Sequence, residues 1–312
     1  MAAKADWVAV DWGTSNLRVW GMDEAGRPVF ERLADRGMAR LAPGEFPFVL
    51  ADLLADLLAD AGAMGALDVL VCGMAGARQG WVEAPYLDLP ADLGALGRAS
   101  VPAPAPGQSF RVRIVPGVCR REAGREDVMR GEETQLLGVS VLRPGFAGLV
   151  LKAGTHSKWA RLEGARLIDF STAMTGELFE AASAHTVLRH SVGGEVMGPL
   201  TEEGIAAGLE AGLERPDLLT TLMFRARAAA LVSERGPDWC SGYLSGLLVG
   251  AEVAGHRDEI GMGPVPVLGA ERLTRLYRAA LKRIGVETQP VEATEATLAG
   301  LAAVHKQIYA TR

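Results

Sequence analysis

Near the start of the chain, Asp11-Trp12-Gly13-Thr14-Ser15-Asn16 separates two apolar stretches. A tight turn here presents successive backbone N–H groups, and Gly13 allows an anion to approach the main chain closely. Thr14, Ser15 and Asn16 add side-chain donors, while Asp11 can hold a magnesium ion through water. That inventory suits phosphate, although an ordinary polar hairpin would use the same residues. A second turn, Ala153-Gly154-Thr155-His156-Ser157-Lys158, offers a glycine, two hydroxyls and a lysine. Lys158 would face phosphate or be solvated. His156 reads as a polar loop residue, because no second histidine or cysteine stands at ligand spacing. A third segment, Val265-Pro266-Val267-Leu268-Gly269-Ala270-Glu271, is an apolar strand whose small-residue turn opens a helix. Such a turn admits a ligand to a helix N-terminus, though it also serves as a routine strand-to-helix connection.

The elements that must position these turns follow from apolar spacing. Trp7–Asp11, Asn16–Met22 and Pro28–Leu33 read as three strands, with Asp23-Glu24-Ala25-Gly26 as turn chemistry between the last two. Leucines and alanines at helical spacing follow from Phe46 to Ala61, then a buried strand from Ala66 to Cys72. Prolines 102, 104 and 106 mark Ala99–Gly107 as a surface loop or lid. A helix is expected over Glu132–Leu142, stopped by Pro144-Gly145. The meander then restarts, with strands at Phe146–Lys152, Lys158–Leu162 and Arg166–Phe170. Each phosphate-type turn therefore sits inside a three-stranded meander, and opposing turns could clamp a polyphosphate from both sides. The remainder is mainly helical, over Glu202–Leu213, Leu218–Glu234 and Gly242–Ala254, with a strand at Val265–Leu268. A helix over Glu271–Ile284, a short strand near Glu287–Val291 and a helix from Thr294 complete the chain. Gly242, Gly246 and Gly250 form a Gly-xxx-Gly-xxx-Gly series, which in a soluble chain lets two helices pack closely.

With 312 residues the chain exceeds a single core, so two domains are expected. Apolar residues at 49% and charged residues at 22% leave ample material for burial. A net charge of -6 disfavours nucleic acid as a partner, since phosphate neutralisation needs a basic face. Cys72, Cys119 and Cys240 are widely separated and lack metal-ligand spacing, which suits reduced, buried thiols in a cytoplasmic protein. No signal peptide is evident, and the longest apolar run, Tyr243–Ala254, is too short for a membrane and contains Glu252. Walker A and Gly-x-Gly-x-x-Gly patterns are missing, which removes support for those nucleotide folds.

Read together, the two phosphate turns, the Gly-Ala turn and the closing helix resemble the order of the actin, hexokinase and Hsp70 superfamily. Val71-Cys72-Gly73-Met74-Ala75-Gly76-Ala77-Arg78-Gln79-Gly80-Trp81 resembles the sugar-contacting segment of carbohydrate kinases. Met129-Arg130-Gly131-Glu132-Glu133-Thr134-Gln135-Leu136-Leu137-Gly138, Ala153–Trp159 and Met174-Thr175-Gly176-Glu177-Leu178-Phe179 together resemble the 2-dehydro-3-deoxygalactonokinases. The similarity runs from about residue 7 to the C-terminal helix. It implies a two-domain α/β fold of the actin-like ATPase (ribonuclease H-like) type, with mixed sheets flanked by helices around a central nucleotide cleft. Domain I would be 1–140 completed by a C-terminal helix 296–312, and domain II 141–295.

The resemblance further implies ATP and Mg2+ as cofactors. The expected reaction phosphorylates the terminal, 6-hydroxyl of 2-dehydro-3-deoxy-D-galactonate in galactonate catabolism. Asp11, Gly13, Thr14, Ser15 and Asn16 would hold one end of the nucleotide, with Asp11 at the metal. Gly154, Thr155, His156, Ser157 and Lys158 would form the second phosphate site, and Gly269-Ala270 the adenosine turn. Related sugar kinases keep a catalytic Asp where this chain has Arg130-Gly131-Glu132-Glu133, so Glu132 or Glu133 becomes the candidate base, with Asp127 as a fallback. Arg78 would meet the substrate carboxylate, with Gln79 and Trp81 for hydrogen bonds and stacking, and Arg18 as a second choice. The expected partner is a small sugar acid, without nucleic acid or membrane; a homodimer is compatible with the sequence. Two alternatives stand beside this one. One is a kinase of another sugar or sugar acid on the same fold, the other an actin-like ATPase or nucleotide-dependent binding protein with no phosphoryl acceptor.

Overall fold

The computed structural model describes residues 5–60, 66–194, 198–261 and 263–309. In chain order the strands of the first part are β1 (Trp7–Trp12), β2 (Leu17–Met22), β3 (Pro28–Ala34), β4 (Leu67–Gly73), β5 (Tyr86–Asp88), β6 (Ala91–Asp92), β7 (Val101–Ala103), β8 (Phe110–Ile114), β9 (Gly117–Arg120) and β10 (Asp127–Met129). Helices α1 (Phe46–Leu53), α2 (Ala55–Asp60), α3 (Leu96–Ala99) and α4 (Glu132–Leu142) lie among and after them. Then come β11 (Ala147–Lys152), β12 (Ser157–Glu163), β13 (Arg166–Ala173), α5 (Thr175–His185), α6 (Pro199–Glu214), α7 (Leu219–Val232) and α8 (Pro237–Gly255). The chain closes with β14 (Val265–Leu268), α9 (Glu271–Arg283), β15 (Thr288–Val291) and α10 (Ala293–Tyr309). Residue 61 of the expected first helix and residues 310–312 of the expected last one lie outside the described residues.

The chain divides into two compact units. The first takes Met1–Ala147, Arg161–Asp169 and Glu292–Arg312 so far as these are described, and the second Gly148–Ala160 and Phe170–Val291. In the first unit, a six-stranded sheet runs β3-β2-β1-β4-β8-β7, with β1 antiparallel to β2 and parallel to β4. Central β1 is buried almost throughout because both faces of the sheet are covered. Its last residue, Trp12, meets Phe46 and Trp81 at ring-centroid distances of 4.8 and 5.9 Å. Helix α4 touches α10 backbone to backbone: a Cβ on Gly138 would lie 1.8 Å from the Ala296 carbonyl oxygen, and one on Gly300 2.0 Å from that of Thr134.

The proline segment expected as a loop begins instead as β7, an edge strand paired antiparallel with β8 at Pro102↔Arg113. An edge strand keeps one side unpaired, so proline's missing N–H costs no ladder bond there.

A second six-stranded sheet runs β15-β14-β11-β12-β13-β6. In the second unit, α6 and α8 pack through two interlocking glycine series. Cβ atoms on Gly204, Gly208 and Gly212 would lie 2.2, 2.1 and 2.3 Å from carbonyl oxygens of Trp239, Tyr243 and Leu247. Those on Gly242, Gly246 and Gly250 would lie 2.2, 2.4 and 2.8 Å from oxygens of Thr201, Ile205 and Leu209. The Gly-xxx-Gly-xxx-Gly series is thus one half of a close helix pair. No described helix is long and apolar enough to cross a membrane.

Candidate functional site

In the first unit, three backbone segments converge at the C-terminal ends of β1 and β4, where Asp11 pairs with Cys72 and Trp12 with Gly73. Gly73 has φ +91°, and a Cβ there would sit 2.7 Å from the Trp12 carbonyl oxygen and 3.3 Å from Asp11 Oδ1. Gly131, the residue before α4, has φ +106°, and its Cβ position lies 3.2 Å from the Gly73 Cα. Only glycine allows both the left-handed backbone and the contact. The first turn, the segment after β4 and the two glutamates are therefore neighbours.

The first turn closes through Gly13 N–H donating to the Asn16 carbonyl at 2.9 Å. Gly37, Met38 and Ala39 donate to the carbonyls of Ser15, Gly13 and Thr14 at 3.1, 3.0 and 3.0 Å. With those carbonyls tied back, the exposed groups of Thr14, Ser15 and Asn16 present donors to the outside. Gly37 makes this possible, since a Cβ there would lie 2.2 Å from the Ser15 carbonyl carbon. Sequence reading missed Gly37; a lone glycine some 20 residues after a turn carries no local signal.

Glu132 and Glu133 differ in environment. Glu132 is half-buried and accepts the Arg130 N–H at 3.1 Å. Glu133 is fully buried and accepts from Gly131 N–H at 2.7 Å and from the Thr134 hydroxyl at 3.0 Å. Burial, reinforced by the charge of Glu132, pushes the Glu133 carboxyl up to about 8. Burial likewise raises the Cys72 thiol, with Asp11 and Glu133 adding to it, so this cysteine stays protonated. Asp127 opens β10 and accepts the N–H of Val128 at 2.7 Å. The Arg130 guanidinium is buried over the Tyr86 ring at 4.2 Å and donates from Nη2 to the Ala84 carbonyl at 2.8 Å. Its Nε and Nη1 have no hydrogen-bond partner among the described residues.

Arg78 and Gln79 are exposed on the segment after β4, and Arg18 is exposed opposite Asp11 in the β1–β2 register. Trp81 departs from expectation. It is 6% exposed, stacks on Phe46 and donates its indole N–H to the Pro104 carbonyl at 2.9 Å. A ring committed to the core on its faces and its polar edge offers no stacking surface to a substrate.

In the second unit, the second turn is held by neighbours on three sides. Ala153 N–H donates to the Leu268 carbonyl at 2.7 Å, and Glu177 N–H to the Thr155 carbonyl at 3.2 Å. A Cβ on Gly269, φ +142°, would lie 2.4 Å from the Ala153 oxygen, and one on Gly176 2.8 Å from the Thr155 Cα. The Gly269-Ala270 turn thus presses directly on Ala153, and the N-terminus of α5 on Gly154 and Thr155. Exposed His156 pairs with Glu177, Nε2 to Oε2, at 2.6 Å.

Two residues of this turn point elsewhere. Ser157 is 0% exposed and donates to Glu252 at 2.7 Å, while Lys158 is 4% exposed, so neither is a surface donor for phosphate. Strand alternation explains the error, because β12 begins at Ser157 and both residues enter a strand buried on both faces. The cation at the turn is Lys152, half-buried, whose Nζ lies 2.6 Å from the Cβ position of Gly154. Among the described residues no group of three or more His, Cys, Asp or Glu could hold a metal ion. Magnesium fits a site of this kind when one carboxylate and the nucleotide phosphates share its coordination with water, and half-buried Asp11 supplies a carboxylate beside the first turn.

Comparison with known proteins adds a separate line. The family model described as 2-keto-3-deoxy-galactonokinase matches residues 11–304. A Rhizobium meliloti (strain 1021) protein named "Probable 2-dehydro-3-deoxygalactonokinase" is 39% identical over 311 residues, 99% of each chain. The Escherichia coli (strain K12) 2-dehydro-3-deoxygalactonokinase is 33% identical over 303 residues, covering 96% of this chain and 97% of that one. A Sinorhizobium meliloti crystal structure, provisionally assigned as a 2-dehydro-3-deoxygalactonokinase, superposes with a TM-score of 0.89 at 38% identity over 97% of this chain and 99% of its own. The activator of 2-hydroxyisocaproyl-CoA dehydratase from Clostridium difficile, solved with ADPNP, superposes at 0.52 with 12% identity over 98% and 95% of the two chains, a likeness of fold alone.

Proposed function

The chain belongs to the 2-keto-3-deoxy-galactonokinase family and carries the α/β fold of the actin-like ATPases, and from that premise we propose the following assignment of its chemistry. The protein is an ATP-dependent kinase of 2-dehydro-3-deoxy-D-galactonate, forming the 6-phosphate and ADP. The observation that carries this reading is near-full-length identity of 39% and 33% to relatives of that name, joined to a turn-and-glutamate cluster suited to phosphoryl transfer.

In this reading the acceptor's terminal oxygen attacks the γ-phosphorus as the bond to the ADP oxygen breaks, and the hydroxyl proton passes to Glu132. Glu132 is preferred over Glu133 because a base must be reachable, and Glu132 is only half-buried. Glu133 is fully buried, with a carboxyl raised to about 8, and keeps its proton at neutral pH. Asp127 is less suited, since its carboxylate is turned to its own strand. Magnesium, when bound, neutralises charge on the phosphates. Asp11 would hold it, and Thr14, Ser15 and Asn16 would donate to phosphate oxygens. Within the second unit, Gly154 and Thr155 with Lys152 form the phosphate-type turn, Lys152 taking the part expected of Lys158. Ala270 precedes α9 without a side-chain cap, leaving free N–H groups beside the Gly269 turn for the nucleotide. Arg78, with Gln79, takes the substrate carboxylate, and Arg18 is the second choice. The buried free thiols Cys72, Cys119 and Cys240 favour a reducing, cytoplasmic setting.

A coupled ADP-release assay over aldonates, 2-keto-3-deoxy acids and neutral sugars tests the assignment. Turnover should require a 2-keto-3-deoxy acid. ATP hydrolysis that no acceptor stimulates would instead support a nucleotide-dependent binding protein.

A further inference from the structure

Glu252 lies on α8, outside every turn discussed so far, yet three donors converge on its carboxylate. Ser157 Oγ and Trp159 Nε1 donate to Oε1 at 2.7 and 2.8 Å, and the Tyr277 hydroxyl donates to Oε2 at 2.6 Å. The Tyr277 oxygen also lies 3.1 Å from Ser157 Oγ and is hydrogen-bonded by the Thr175 side chain. Ser157, Trp159 and Tyr277 are all buried to within 1% exposure. Burial, with the neighbouring Glu252 charge, drives the Tyr277 hydroxyl far above its ordinary value, so it remains a donor.

The four partners come from the elements that enclose the second turn. Ser157 and Trp159 open β12 directly after it, and Thr175 is the first residue of α5, against which Thr155 packs. Tyr277 lies on α9, the helix that Gly269-Ala270 opens. A satisfied buried polar network has one geometry, because any displaced donor would be left unpaired in a low-dielectric interior.

We propose that Glu252 is a positioning residue for the nucleotide: it locks the second phosphate turn, through Ser157, to the helix behind the Gly269-Ala270 turn, through Tyr277. Both then hold their binding geometry before ATP arrives, which reduces the ordering cost of binding. The inference rests on the kinase reading for the identity of the ligand.

Glu252→Gln keeps size but accepts on only one side, so its amide N–H2 meets a donor. The expected result is a KM for MgATP and a Kd for ADP each raised about tenfold, the scale of one lost buried hydrogen bond, with acceptor KM within about twofold of the parent. Tyr277→Phe, which removes only the hydroxyl, should move both nucleotide constants in the same direction by less. It serves as the test if Glu252→Gln does not fold. Leu244→Ala, on the same helix but in the core away from the turn, should lower Tm without moving either constant. The proposal is overturned if the network variants lower Tm yet leave ADP affinity unchanged, or if Leu244→Ala shifts it equally. Should the parent protein bind ADP but phosphorylate no acceptor, the kinase reading fails while ADP affinity still decides the role of Glu252.

Discussion

At the start of α4, burial separates two adjacent glutamates, and the proposed mechanism gives the role of base to the more exposed Glu132. Glu132→Gln should lower kcat by about 10²- to 10⁴-fold, the usual scale of a lost general base, with KM values little changed. Glu133→Gln should retain most of kcat, because a protonated carboxyl and an amide are near-isosteric; equal loss in both variants would contradict the assignment. Glu133 also sets a pH dependence of stability. Its carboxyl is raised from 4.5 to about 8 on folding, so the folded state holds a proton that the unfolded chain has released. Its contribution is complete below about 4.5 and is lost as pH rises through about 8. Tm should therefore decline across that window in the parent and decline less in Glu133→Gln; parallel curves would refute it. At this scale the sequence was partly legible. Residue types and spacing marked both turns between strands, but which side chain faces outward depends on burial. Ser157, Lys158 and Trp81 turn inward because their segments enter buried strand or core, whereas Lys152, read only as strand, reaches the turn.

Among elements, the α6–α8 pair depends most visibly on single atoms. Replacing Gly208 with alanine would set a Cβ 2.1 Å from the Tyr243 carbonyl oxygen, and rigid backbone must move to admit it. The expected cost is about 3 kcal/mol, at the upper end for overpacking, read as a fall in the denaturant midpoint. Gly255→Ala, at the end of α8 where a Cβ meets nothing within 4 Å, should be neutral or slightly stabilising. Equal stability of the two variants would remove the close-packing account. Long periodic elements such as α8, and strands with continuous apolar runs such as β1 and β4, were readable from the sequence. Strands β5, β9 and β10 were not, having only 3, 4 and 3 residues and no measurable period. Pro102 concealed β7 because a proline argues against a strand until its edge position is known.

For the whole molecule, the fold was legible through the order of turns along the chain rather than through any one of them, and the activity through the family resemblance of Met129–Gly138, Ala153–Trp159 and Met174–Phe179. Each turn alone fits an ordinary connection; two in matching meanders, followed by Gly269-Ala270, fit a nucleotide-binding fold. What the order could not convey was the unit boundary at Ala147, with Arg161–Asp169 grouped with the first unit, because this depends on contacts distant in sequence. The central claim is phosphoryl transfer from ATP to the terminal hydroxyl of a 2-keto-3-deoxy sugar acid. Phosphorus NMR of the product formed from MgATP and 2-dehydro-3-deoxy-D-galactonate tests it most directly. The account predicts ADP and a phosphomonoester in equal amounts, with phosphorus coupled to the methylene protons of C6. A phosphate coupled to a ring-forming secondary carbon, or ADP and inorganic phosphate without a phosphomonoester, would contradict it.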